Sequence, residues 1–312
     1  MKQNTKQLTD GALLAALYAI LFAIVTYMPF LDLVLMWFLA LPFIVYTWRY
    51  GRKPGIFFFI VTMMLSFFVN PGLFMIPIGF IFGLIGLVVG ELYQKEAKMS
   101  EQILKGTIAA TAGLTLFLLA ARFLLNVNIF KQSMDQYRLM MKETQPLLKQ
   151  LGQDPLVFEE MINQAIQLMM MLTPTFIVSL GALFTTLSIV LTKPILKRIG
   201  FDVPKGEPFR LFSFPRFFAI YYAIVLFFML FTKPESTLYL FVINLYYIFM
   251  ILMVIQGIAL LMALMYKKGL SIGVQRLIIA VLFLLIFPIE FIHILGIIDV
   301  AFDLRKRINR KD

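Results

Sequence analysis

Glu290 and His293 stand three residues apart in an apolar run near the end of the chain, with Asp299 and Asp303 following. On a helix this spacing puts the carboxylate and the imidazole on one face. Such a pair ligates metal in some helical bundles, but those sites draw further carboxylates or histidines from neighbouring helices. His293 is the only histidine of the chain and no such set accompanies it, so the sequence argues against a metal. It leaves a structural polar contact, a proton-sensitive relay or a pairing with Arg122 as the readings of Glu290, His293 and Asp299 as intramembrane polar residues. Asp299, Asp303 and Arg305 are expected to cap and anchor the last helix at the cytoplasmic face. Cysteine is absent, which excludes disulfides, thiolate metal sites and cysteine nucleophiles. The patterns GxxxxGK[ST], HExxH and GxSxG are also missing, so no enzyme is expected, and an ATP-driven transporter would need a separate motor subunit. The runs Phe57–Phe59 and Met169–Met171 read as packing or lipid-facing material, and no cofactor is assigned.

The elements that position these residues are apolar helices. The chain of 312 residues is 61% hydrophobic and 14% charged, too little polar surface to coat a soluble globule. A helix needs about 20 residues to cross a hydrocarbon core about 30 Å thick. Apolar segments fall near 11–28, 31–48, 55–69, 73–90, 106–125, 167–191, 214–232, 237–266 and 274–301. The fold predicted is all-α, a polytopic transmembrane helix bundle of about eight to nine apolar segments with an external amphipathic helical insertion. The first segment follows only Lys2 and Lys6 and lacks a small-residue cleavage site, so it reads as a retained helix.

Lys and Arg crowd into every second loop. With the amino terminus inside, Lys2, Lys6, Arg49, Arg52, Lys53, Lys95, Lys98, Lys105, Lys193, Lys197, Arg198, Lys205, Arg210, Arg216, Lys267, Lys268 and Arg276 fall on the cytoplasmic side. The outer connections hold Lys131, Arg138, Lys142, Lys149 and Lys233, mostly in one long loop where the rule is weaker. The net charge of +11 is therefore assigned to topology and anionic lipid, not to nucleic acid. Arg305, Lys306, Arg307, Arg310 and Lys311 signal a cytoplasmic carboxyl terminus, whereas nine full crossings would put it outside. Pro288 in the middle of the last segment leaves two readings open: two short helices of a hairpin with both ends inside, or one crossing with an external tail.

Three units follow: residues 1–192 as a six-segment membrane bundle, 193–213 as a basic cytoplasmic linker, and 214–312 as a terminal membrane unit with a basic tail. Within the first, 55–90 reads as a hairpin turning at Asn70, Pro71 and Gly72, and Gly79, Gly83, Gly86 and Gly90 allow close helix approach. Residues 126–166 are the polar interruption. Phe130, Met134, Tyr137 and Met141 recur at helical spacing; Pro146 and Gly152 are expected to interrupt that helix, and Asp154–Pro155 to start another that runs on into the sixth span. This pair would lie on the outer membrane surface as an anchor or cover the bundle as a lid. Ala15, Ala19 and Ala23 recur every four residues near the start, a stripe suited to close packing within the subunit or to docking a partner helix.

The opening LTDGALLAALYAILF, the six segments with a long external connection before the sixth, the basic linker and the closing LGIIDVAFDLRKR together resemble the YybS-like family of bacterial membrane proteins. The first six segments of that family are similar to substrate-binding subunits of energy-coupling factor transporters, which dock a shared transmembrane partner through small residues of the first helix. The resemblance implies that Ala15, Ala19 and Ala23 are the docking positions, and that a small-molecule or lipid ligand sits in the outer half of the bundle. Asn70, Arg122, Asn126 and Asn128 are the candidates there, since an arginine near the membrane is costly unless paired, solvated or snorkelling. The chain departs from the transporter subunits by its apolar unit after residue 213 and by lacking a vitamin-binding signature. The functional expectation is a substrate-binding, transporter-like subunit of the bacterial plasma membrane, acting with a transmembrane partner and an ATPase module. The alternative is a non-enzymatic scaffold or regulator of envelope assembly or sporulation.

Overall fold

Lipid offers the backbone no hydrogen-bond partner, so a chain this apolar satisfies its peptide groups within helices. The computed structural model describes residues 2–71, 76–124, 126–150, 154–203, 208–234, 236–284 and 289–305, and their regular structure is entirely helical. Among the described residues seven helical stretches are long and apolar enough to cross a membrane. The expected all-α polytopic bundle is what forms. Its helices gather into two compact units, the first covering Met1–Met170 and Phe176–Lys205, the second Met171–Thr175 and Gly206–Asp312.

The first unit contains α1 (Lys2–Tyr27), α2 (Asp32–Leu35), a 3-10 turn (Met36–Phe38), α3 (Leu41–Tyr50), α4 (Arg52–Val69), α5 (Ile76–Gln94), α6 (Met99–Leu124), α7 (Ile129–Gln150) and, apart from Met171–Thr175, α8 (Pro155–Met171) and α9 (Thr173–Arg198). The segment expected at 31–48 is not one helix but a short helix, a 3-10 turn and α3. Pro42, in the first turn of α3, has no N–H to continue the ladder from the preceding turn. Tyr18, Phe22, Phe43, Phe82 and Ile85 are fully buried and form the centre of this unit. The α5 glycines hold it close: a Cβ on Gly86 would lie 2.6 Å from the Ala40 carbonyl, and one on Gly90 would lie 2.8 Å from the Ile44 carbonyl. At one end, Asp10 accepts from Arg49 at 2.9 Å and from the Tyr50 hydroxyl at 2.7 Å. Glu91 pairs with Lys95 at 2.6 Å and with Arg52 at 3.7 Å.

Two boundaries in the polar insertion differ from expectation. Helix α7 continues through Pro146 instead of stopping there, and because Pro146 is exposed the freed carbonyl can turn to solvent. Gly152 lies outside the described residues, as does Gly72 of the turn expected after α4. Helix α8 starts at Pro155 as the Asp–Pro pair predicts, but it ends at Met171 and α9 begins at Thr173, where Pro174 removes a backbone donor from the first turn.

The second unit contains a 3-10 turn (Phe209–Leu211), α10 (Phe217–Phe231), α11 (Thr237–Lys267), α12 (Ile272–Leu284) and α13 (Ile289–Phe302). Helices α10, α11 and α13 pack around Tyr222, Met253 and Val300. Gly257 and Gly296 let α11 and α13 touch backbone to backbone: a Cβ on Gly257 would collide with the Ile292 carbonyl, and one on Gly296 with the Met253 carbonyl.

Candidate functional site

The densest polar constellation belongs to the second unit, and it has two layers. In the first, Gln256 stands in the middle of apolar α11 with no exposed surface. Its amide nitrogen donates to Asp299 Oδ2 at 2.6 Å and to Ser213 Oγ at 3.2 Å, and its amide oxygen accepts from the Phe214 N–H at 3.0 Å. Arg305 Nε donates to the same carboxylate oxygen at 2.9 Å, with the two side chains 14% and 2% exposed. The rest of the guanidinium donates to the carbonyls of Arg210 and Phe212. Arg216 grips Asp303 through Nε and a terminal nitrogen at 3.1 and 2.8 Å. This layer binds the carboxyl end of α13 to the 210–216 stretch and to α11. Asp299, Asp303 and Arg305 thus do anchor the end of the last helix.

The same contacts decide the path of the terminal segment. The Arg210 guanidinium lies 3.8 Å from the Tyr266 ring, at the end of α11. Helix α12 leaves from that end after Gly269, and Arg305 comes back to it through the Arg210 carbonyl. A continuous helix from Ile272 would carry Arg305 about 50 Å away, at about 1.5 Å per residue. The chain therefore doubles back between α12 and α13. Arms of 13 and 14 residues are each about 20 Å long, short of a core about 30 Å thick. The start of α12 and the end of α13 thus lie at one end of the unit, the arrangement that the hairpin reading expects; Pro288 itself lies outside the described residues.

The second layer lies deeper along the same helices. Tyr222 Oη and His293 Nε2 are 2.7 Å apart, and Tyr222 is 1% exposed, stacked beside Tyr246 and Phe249. His293 is half-buried, while Glu290, one turn earlier on the same face of α13, is exposed. Tyr222 is six residues into the chain from Arg216 and His293 six before Asp299, so by both routes the pair sits about 9 Å below the first layer, and Glu290 about 14 Å. Among the described residues no group of three or more potential metal ligands gathers here. Sequence reasoning singled out Glu290, His293, Asp299 and Arg305 but missed Gln256 and Tyr222. An amide inside a 31-residue apolar helix was the available signal for Gln256. Tyr222 gave none.

The outer candidates are only partly brought together. Asn126, with a left-handed φ of 54°, and Asn128 line an open hollow with Lys131 and Asp135, and Asn128 Oδ1 also caps α7 by accepting from the Lys131 N–H at 3.1 Å. Arg122 is exposed in the last turn of α6 and does not line that hollow; Asn70 ends α4 elsewhere. A cavity of about 280 Å³ between α7 and α8 is lined by Arg138, Met141, Lys142, Phe158, Glu159, Ile162 and Asn163. Of the small-residue stripe on α1, Ala15 is buried in the chain's own core, Ala19 and Ala23 are half-buried, and the neighbouring Ala12 and Ala16 are exposed.

Comparison with known proteins agrees with this architecture. Residues 16–300 match the family described as predicted membrane protein (DUF2232). The chain belongs to that family. It is also 30% identical over 315 aligned residues to the uncharacterized protein YybS of Bacillus subtilis (strain 168), covering 99% of this chain and 100% of that one. The YybS likeness read from the opening and closing motifs therefore holds across the length of this DUF2232 member. No solved structure matches.

Proposed function

We propose that this integral membrane protein is a substrate-binding, transporter-like subunit of the bacterial plasma membrane that acts with partner proteins. The observation carrying the reading is the return of α13 to the end from which α12 leaves, on arms too short to span, with Tyr222 and His293 along the helices below a charged layer. Short helices that meet inside a membrane are tolerated where they are covered by protein or line a polar path, and transporters place substrate and ion sites at such points. The cationic loops support a cytoplasmic position for the 208–216 segment, Lys268 and the carboxyl end. The absence of a nucleotide-binding loop in the sequence makes the energy source a separate ATPase module, and the chain is read as non-enzymatic.

Native mass spectrometry of the gently solubilised protein tests this. A retained small molecule or lipid together with an associated ATPase subunit is the expected result. Leucine at Ala15 and Ala19 should abolish that association; the half-buried Ala19 is the more direct site, whereas Ala15→Leu would also disturb the protein's own core. Purification with neither ligand nor ATPase would transfer the assignment to a membrane scaffold or regulator.

A further inference from the structure

We propose that His293, Tyr222 and Glu290 form a proton-binding site within the membrane, with the proton carried on the His293 imidazole and balanced by the Glu290 carboxylate. The geometry begins with placement. Tyr222 on α10 and His293 on α13 meet at 2.7 Å, and both count about 9 Å below the Gln256–Asp299–Arg305 layer at helical rise. Glu290 follows one turn deeper on the face it shares with His293. It is exposed and makes no hydrogen bond or ion pair with the described residues. A carboxylate that faces hydrocarbon without a counter-charge is strongly disfavoured, so the pair gains stability by taking up a cation. The nearest group able to supply positive charge is the imidazole itself.

The charge balance is simple. Unloaded, neutral His293 and ionised Glu290 carry −1 between them; loaded, imidazolium and carboxylate sum to zero. One N–H bond forms on His293 as a hydronium ion gives up its proton. The Tyr222 hydroxyl serves both states, donating to Nε2 of the neutral ring and accepting from the N–H of the charged one. Among the described residues the surroundings supply no second counter-charge. From α11 the facing groups are Tyr246 and, toward the charged layer, the amide of Gln256; on α13 Asp299 is already engaged by Arg305; on α12 the ionisable described residue is Arg276, exposed in its first turns. A site that is neutral when loaded and charged when empty has a reason to respond to a proton gradient, which would make the proton a coupling ion. That purpose rests on the transporter-like reading, but protonation itself does not.

The only histidine makes the test direct. The full chain, labelled with nitrogen-15 histidine and held in lipid nanodiscs, gives imidazole signals from His293 alone. The expected result is one reversible protonation step within roughly pH 5 to 8. Glu290→Gln, close in shape, should move the midpoint by about one pH unit or more toward acid, because the balancing charge is gone. Tyr222→Phe should change the neutral-state tautomer signals while leaving a titration in place. A wild-type imidazole that does not titrate across that range overturns the proposal, as does a midpoint unmoved by Glu290→Gln. A titrating His293 in a chain that retains neither ligand nor ATPase would keep this site and remove the transport reading. A silent His293 in a chain that retains both would do the reverse.

Discussion

At the scale of single residues, the Asp299–Arg305 pair is the most exacting contact in the protein. The carboxylate has left water almost completely and the guanidinium largely so; each answers the other, the Gln256 amide also donates to Asp299, and Arg305 donates to the carbonyls of Arg210 and Phe212. Removing one member strands its partner, so Asp299→Ala should cost about 3–5 kcal/mol of stability, read as a fall in thermal unfolding midpoint in detergent. Replacing both, as Asp299→Leu with Arg305→Met, should recover a substantial part of that loss. If the double variant is as unstable as the sum of its singles, the pair is not coupled. The polar members on α13 were legible because each interrupts an apolar run. Their partners were not: Gln256 lies 43 residues from Asp299 and Tyr222 lies 71 from His293, and no local pattern encodes a meeting over such distances.

Among elements, α11 and α13 depend on glycine where they touch. Gly296→Ala should already weaken the unit, since the added carbon meets backbone that cannot turn aside as a side chain can. Gly273→Ala is the matched control: nothing lies within 4 Å of its Cβ position, and alanine favours the helix by roughly 0.5–1 kcal/mol. Equal effects of the two substitutions on thermal unfolding would refute the close-contact account. Proline had to be interpreted by context. Pro42 and Pro155 sit in first turns, where a missing donor costs little, while Pro146 lies inside α7 and bears its cost on an exposed face. The sequence marked Pro155 as a start and Pro146 as an interruption and gave Pro42 no role; only the surroundings showed that α7 runs on through Pro146.

Across the whole molecule the natural absence of cysteine offers a clean background for mapping sides. Lys268→Cys and Phe302→Cys flank the α12–α13 reversal and are exposed, so a membrane-impermeant thiol reagent should reach both from the same side of oriented vesicles. Labelling from opposite sides would mean the terminal segment crosses once. Lys98→Cys should react from the cytoplasmic side and Lys142→Cys from the outer side, as the cation distribution requires; reversed accessibility would invert the orientation.

What the amino-acid order determined alone is the solvent and the material: apolar runs of spanning length, cations concentrated in alternate loops, and helix as the form in which lipid lets a backbone exist. Those properties are local and additive, so they can be read by counting along the chain. Tertiary structure decided which polar groups meet, that Ala15 is buried while Ala12 and Ala16 face out, and that α13 ends at the end of the unit from which α12 leaves. These outcomes depend on shape and partnership between distant segments, where a glycine contact or a buried carboxylate selects one arrangement from several that hydrophobicity alone would allow.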